Sequence, residues 1–434
     1  MAYMAIKNLI EKFTKSKEAT NAGWIIGEKI VQMLLSLIVG ILSARYLGPS
    51  NYGLVNYAAT YISFFTSFAT LGIDSILVKE LVDNPNRSGE ILGTAIGMRV
   101  VSGLLSVIFV VSAVWLLDTN EPLTLVVAAL SSLSLIFRAF ESINSYFLSK
   151  YLSKITSIAA LVSYIALSFY KIVLLVLNKD VKWFAFATSV DYVVLAIFLL
   201  ICYFKNSNQK LYFSWKRAKE MLSRSHHYIL TGMMVAIYAQ TDKIMLKQML
   251  DTSAVGYYTT ASSVANLWTF IIAAIVTVMN PTIIGLYGKD EAQFNRKMRQ
   301  LYAIVFYISI SASLCIVLCS GIVIRKFYGE AYAPAIAPLR VITWNTAFSY
   351  FGVARNIWVV CKNRQKYLKY IYISSSILNI ALNAFLIPIM GVTGAAIASV
   401  IAQVTTGFLF PLFIKDMRES SVMMLDAILF RGIR

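Results

Sequence analysis

The sequence predicts an all-α polytopic membrane protein with 12 transmembrane helices, arranged as two six-helix lobes related by a pseudo-two-fold along the membrane normal. Three observations predict it. The composition is apolar and poor in charge, twelve apolar runs are long enough to cross a bilayer, and the two halves repeat. Of 434 residues, 58% are hydrophobic and 14% charged, where a soluble domain averages about 45–50% and roughly 25%. Mean hydropathy is +0.69. The deficit of charge excludes a soluble, a disordered and a disulfide-scaffold protein.

A helix needs about 20 apolar residues to cross hydrocarbon. Such runs occupy 22–47, 52–79, 91–117, 122–148, 151–177, 182–204, 226–250, 254–286, 299–325, 333–361, 364–390 and 391–415. Turn-like breaks separate them, among them Gly48-Pro49-Ser50-Asn51 and Asp251-Thr252-Ser253. This divides the chain into an N-terminal tail (1–21), an N-lobe (22–204), a basic linker (205–225), a C-lobe (226–415) and a C-terminal tail (416–434). The linker reads as an interfacial helix. No connection is long enough to hold a soluble catalytic or nucleotide-binding domain.

The net charge of +18 does not imply nucleic-acid binding here, because basic residues of membrane proteins gather in cytoplasmic loops. The tails and alternate loops on one side carry 26 Lys and Arg, the opposite loops and their edges four. Both termini are therefore expected in the cytoplasm. The N-terminus, with Lys7, Lys12, Lys15 and Lys17, lacks the pattern of a cleavable signal peptide. The four cysteines (Cys202, Cys315, Cys319, Cys361) show no CxxC spacing and read as packing residues, with no metal site and no cofactor implied.

Offset by 203, Leu47, Ser50, Gly53 and Ala58 fall on Leu250, Ser253, Gly256 and Ala261. At an offset of 211, Val181, Ala185 and Ala187 fall on Val392, Ala396 and Ala398, with Thr188 on Ser399. Six helices per repeat is an even number, so both halves insert the same way up.

Polar residues mark one face of several spans. The second carries Asn56, Thr60, Ser63, Ser67, Thr70 and Asp74; the fourth Ser131, Ser134, Arg138, Glu141 and Ser145; the eighth Thr259, Ser263 and Asn266. Hydroxyl residues alone suit close helix packing as well as a wet surface. An ionisable group at mid-helix costs about 2.5–3.5 kcal/mol and normally faces a cavity or a partner. A solvated central cavity between the halves is therefore expected. Glu28 and Lys29, Arg138 and Glu141, and Asp242 and Lys243 place opposite charges close together, of which Arg138 and Glu141 at i,i+3 are best placed to meet. Arg99, Lys171, Arg340 and Arg355 have no acid nearby in sequence. Pairing across helices, with Asp191 as one candidate, and snorkelling to the interface are both open to them. Gly23-xxx-Gly27 and Gly93-xxx-Gly97 suggest close helix packing. The basic excess points to an anionic ligand, since the planar fork of Arg suits phosphate. No Walker loop, HExxH, GxSxG or DxD-like cluster is present, so an enzyme is not expected.

The segment Leu42-Ser43-Ala44-Arg45-Tyr46-Leu47-Gly48-Pro49-Ser50-Asn51-Tyr52-Gly53 resembles the start of bacterial polysaccharide flippases of the Wzx type. So do Gln240-Thr241-Asp242-Lys243-Ile244-Met245-Leu246, Val255-Gly256-Tyr257-Tyr258 with Ala261, Phe327-Tyr328-Gly329-Glu330-Ala331-Tyr332 and Met390-Gly391-Val392-Thr393-Gly394-Ala395-Ala396-Ile397-Ala398. The resemblance covers nearly the whole chain and implies a member of the multidrug/oligosaccharidyl-lipid/polysaccharide exporter superfamily. It implies alternating access, and the flipping of an undecaprenyl-pyrophosphate-linked oligosaccharide repeat unit to the outer leaflet of the bacterial inner membrane, for O-antigen or another surface polysaccharide. Polysaccharide polymerase and chain-length machinery are implied as partners besides the lipid bilayer. Twelve spans argue against the peptidoglycan-precursor branch, which commonly has fourteen. A cation-coupled multidrug exporter is the alternative, and a membrane-embedded enzyme of the pathway a weaker one. On this reading Arg138, Lys243, Lys29, Arg99 and Arg355, with Asn56, Ser67, Ser134 and Asn266, are candidates to hold the substrate. Asp242, Glu141, Glu28, Asp74 and Asp191 couple an ion or neutralise the neighbouring cations.

Overall fold

Gly48 sets the pattern of the first two spans. The computed structural model describes residues 17–432. Its first helical run, Lys17–Ala69, has 53 residues. As one straight helix it would reach about 80 Å, far beyond the ~30 Å of hydrocarbon. Gly48 (φ 71, ψ 170) interrupts it ahead of Pro49 and divides it into two passes. Among the described residues nine helices are long and apolar enough to cross a membrane, this run counting once. Trp215–Met249 and the broken run from Glu330 to Cys361 complete the twelve expected. No strand occurs among the described residues. Residues 1–16 of the expected N-terminal tail, with Lys7, Lys12 and Lys15, lie outside the described residues.

The chain forms two compact units. The first contains the residues up to Leu47 and Ala58–Ala236, the second Gly48–Tyr57 and Ile237–Arg434. The division thus falls after Ala236, beyond the expected linker end at 225, because the linker packs on the first unit. Its residues 207–214 run extended along Ser88–Leu117. Gln209 Oε1 accepts from Gly89 N (2.8 Å) and Ser214 N donates to Thr94 Oγ1 (3.0 Å). A Cβ on Gly89 would meet Lys210 O at 2.3 Å, and one on Gly93 Tyr212 N at 2.5 Å. Gly93 and Gly97 therefore seat an extended chain rather than a second helix, which corrects the expectation from their spacing. Among the described residues, nothing lies within 4 Å of a Cβ built on Gly23 or Gly27, so that pair makes no close crossing there. Arg217 then reaches Glu80 at 3.2 Å and Glu90 at 3.8 Å.

Within the first unit the expected second span, 52–79, stops at Ala69. Leu71 and Gly72 take positive φ, and a separate helix, Asp74–Asp83, follows. The polar stripe from Asn56 to Asp74 is therefore not one helix face. The fourth span is also broken, into Pro122–Ser132, Ser134–Phe137, a 3-10 turn at Arg138–Glu141 and Ser142–Ser149. Serines explain the tightening. Ser132, Ser134 and Ser142 donate to the carbonyls of Ala129, Ser131 and Ala139, each three residues back, and such bonds compete with the α-helical ladder. Ser131 Oγ reaches across to Ala185 O (3.1 Å). These serines pack spans rather than line water.

The second unit shows a reciprocal crossing. A Cβ on Gly53 would lie 1.8 Å from Thr252 O, and one on Gly256 2.2 Å from Pro49 O. Both pairs, 53 with 256 and 49 with 252, are related by the 203-residue offset, so two repeat-equivalent helix starts touch through equivalent atoms. Ser50 and Thr252 hydroxyls bond beside them at 2.9 Å. The C-terminal stretch is no loose tail. Arg418–Ile428 buries Met423, Met424 and Ala427 in the core that holds Met298 and Tyr302. Tyr307 Oη donates to Ile428 O (2.7 Å) and Arg299 pairs with Asp426 (3.4 Å). The hydrogen bond from Tyr367, then Arg364 and other neighbouring cations, holds the Asp416 carboxyl below its usual range.

Two measurements check this packing. Gly53→Ala or Gly256→Ala should cost about 1–3 kcal/mol or more by overpacking, read as a lowered Tm of the purified protein; an unchanged Tm would contradict the crossing. Ser134 is fully buried and Asn266 exposed. In a background without the native cysteines, Ser134→Cys should resist a small aqueous thiol reagent that labels Asn266→Cys; rapid labelling at 134 would contradict the packed fourth span.

Candidate functional site

Charged groups collect at one place in each unit. In the first, Arg138 sits on the 3-10 turn of the fourth span, where the shorter repeat aligns it with Glu141. Its Nε donates to Glu141 Oε2 at 3.2 Å and its Nη1 to Thr66 Oγ1 at 3.0 Å. The Tyr192 ring lies 5.0 Å from the guanidinium carbon, a cation–π contact. Arg138 is 22% exposed and Glu141 28%. Asp191 accepts a hydrogen bond from Ser163 and lies within electrostatic reach of Lys171 and Arg138. Lys171 thus lies within electrostatic reach of an acid on the neighbouring helix. Asp74, the acid that opens the helix after the second span, also acts on Arg138 and pairs with Arg99 at 2.7 Å.

Arg99 itself is buried. Its Nε donates to Thr70 O (3.0 Å) and its Nη1 to Ser142 Oγ (2.9 Å). It pins the turn after the second span to spans three and four. That corrects its place among substrate-holding residues and excludes snorkelling here. Ser134 leaves the list for the packing reason above. Ser67 packs close to Gly232, and Asn56 donates back to Tyr52 O (2.8 Å). Lys29 is largely exposed and pairs with buried Glu28 at 3.3 Å, so adjacent residues do meet where only an i,i+3 pair was expected to.

In the second unit, Asp242 is buried among donors. Asn383 Nδ2 donates to Oδ1 (2.6 Å), while Tyr258 and Ser399 hydroxyls donate to Oδ2. Three donors on one carboxylate offset the cost of burying it. The group borders a cavity of about 210 Å³ whose walls include Lys243, Asn266, Asn379 and Gln403. Lys243 and Asn266 thus share a wall with Asp242, as candidates for one ligand would. Asn383 Nδ2 also donates to Asn379 Oδ1 (3.1 Å), which ties the two amides and the carboxylate into one hydrogen-bonded group. Arg355 is elsewhere. It is fully buried, and its Nη1 donates to Thr406 O (2.8 Å) and Gly407 O (3.1 Å) on a π-helical turn of the last span. It braces two spans, neither snorkelling nor open to a cavity.

Several members of these sites escaped the sequence reading. Thr66 lies on the second span and Tyr192 next to Asp191, with nothing local to mark them. Ser375, Asn379 and Asn383 are spaced by four and share a helix face, a signal that could have found them. Ser399 already stood in the repeat as the partner of Thr188.

The fold is similar to that of the lipid II flippase MurJ in an inward closed conformation, with a TM-score of 0.73 and 16% identity over 93% of this chain and 91% of that one. It is also similar to a multidrug resistance MATE family transporter of the MOP superfamily in an inward-facing conformation, with a TM-score of 0.65 and 16% identity over 92% and 94% of the chains. A MOP superfamily transporter from Pyrococcus furiosus matches with a TM-score of 0.62 and 13% identity over 96% of each chain. In sequence, an uncharacterised membrane protein of Methanocaldococcus jannaschii is 20% identical over 420 residues, 89% of this chain and 82% of its own length. Residues 19–286 match the family model described as polysaccharide biosynthesis protein. That match spans more than half of the sequence, and the chain belongs to the polysaccharide biosynthesis protein family.

Proposed function

We propose that this protein is a flippase that carries undecaprenyl-pyrophosphate-linked oligosaccharide repeat units from the cytoplasmic to the outer leaflet of the bacterial inner membrane. It works by alternating access of two six-helix lobes, with both termini in the cytoplasm. Its product feeds O-antigen or another surface polysaccharide, handed to polymerase and chain-length machinery. The observation that carries this reading is Arg138: a guanidinium within a membrane span, partly exposed, with Nη2 free of hydrogen bonds among the described residues. An Arg fork with an open nitrogen is suited to a phosphate oxygen. Family membership and the likeness to a lipid II flippase support a lipid-linked substrate. Lys243 adds a second cation at the Asp242 cavity.

The coupling ion, a proton or sodium, is assigned to Asp242, a buried acid bordering the cavity. Glu28 is a weaker candidate, since Lys29 already neutralises it. The same buried Asp242 is what favours the second reading, a cation-coupled multidrug exporter, because a cationic drug would seek an acid. Arg138→Ala separates the two. Under the flippase reading it lowers surface-polysaccharide export by about tenfold or more, the effect of removing a charged hydrogen-bond donor, while the protein still accumulates in the membrane. Export at the wild-type level would remove Arg138 from the site and favour the exporter.

A further inference from the structure

We propose that Glu141 is the resident counter-ion of Arg138, displaced by the anionic headgroup on binding, and that its return to the guanidinium drives release. The inference rests on the function proposed above and names a second residue for it. Glu141 is not a strong lock. It takes one hydrogen bond from Nε at 3.2 Å, not the two parallel bonds that the Arg fork can make with a carboxylate. Among the described residues, Arg138 is its one hydrogen-bond partner, and it is 28% exposed. Its oxygen therefore stands where a ligand oxygen would bind.

The rest of the setting holds Arg138 in place while that partner changes. Thr66 takes Nη1 and the Tyr192 ring lies against the guanidinium. Neither carries a negative charge, so neither competes with phosphate. Asp191 and Asp74 act on Arg138 from a distance and remain when Glu141 leaves. Between loads, Glu141 spares the protein a bare cation in the membrane. With a load bound, the freed carboxylate faces an anion of like charge, and this repulsion favours release.

The test is binding of undecaprenyl diphosphate to the full chain in nanodiscs, with undecaprenol as uncharged control, beside flipping of the glycan-linked lipid in proteoliposomes. Glu141→Gln keeps the shape and removes the competing charge. It should bind the diphosphate lipid about two- to fivefold tighter, leave undecaprenol unchanged and flip more slowly. A merely structural role would weaken binding. Glu141→Asp, which retracts the carboxylate, should shift the same way by less and serves if the Gln variant does not accumulate. Wild-type or weaker binding by both variants, with binding lost in Arg138→Gln, overturns the exchange and leaves the anion reading standing. Unchanged binding in Arg138→Gln overturns both.

Discussion

A charge in hydrocarbon needs an opposite charge or a set of dipoles within reach, and this constraint organises the first unit. Several of its ionisable side chains form a series of alternating sign: Lys171 and Arg138 lie within electrostatic reach of Asp191, Arg138 meets Glu141 and feels Asp74, and Asp74 pairs with Arg99. Arg138 and Glu141 share one turn of the fourth span, and the other links run between helices. Arg99, bonded to a carbonyl and a hydroxyl as well as to Asp74, is fixed. Arg138, with one weak ion pair and partial exposure, keeps the capacity to take a ligand.

Irregular backbone accompanies the charges. Arg138 and Glu141 occupy a 3-10 turn, and Arg355 donates to carbonyls within a π-helical turn. Away from water, backbone groups released from an α-helical ladder need other partners, and charged or hydroxyl side chains are the partners at hand. In the first unit serines tighten the helix. In the second, carbonyls freed at 406 and 407 solvate a guanidinium that has no ion-pair partner among the described residues. The buried Arg99 and Arg355 thus act as braces, and the partly exposed Arg138 is the one proposed as a site.

The spans were legible in the sequence because they follow from local hydropathy. The reciprocal contact of Gly53 and Gly256 gives the 203-residue offset a physical basis, since equivalent close approaches need equivalent small residues. Which charge does what was not legible. Arg138 differs from Arg99 by an acid at i+3, but nothing local tells that the fold buries Arg99 and leaves Arg138 partly exposed. Ser134 stood in a polar stripe and is buried, while Thr66, which takes a hydrogen bond from Arg138, carried no mark in the sequence. The breaks at Leu71 and at the Arg138–Glu141 turn were hidden because apolar runs continue through them. Asp242 stood out as an acid in a span, but its donors come from three other spans that no local pattern connects.

The account turns on recognition of a diphosphate by a guanidinium within the membrane. The most direct measurement is the flipping rate, in proteoliposomes, of one glycan carried on the same polyprenyl lipid through a diphosphate or through an uncharged linker. The account predicts rapid flipping of the diphosphate form and loss of transport with the neutral one. Equal rates for the two would contradict it.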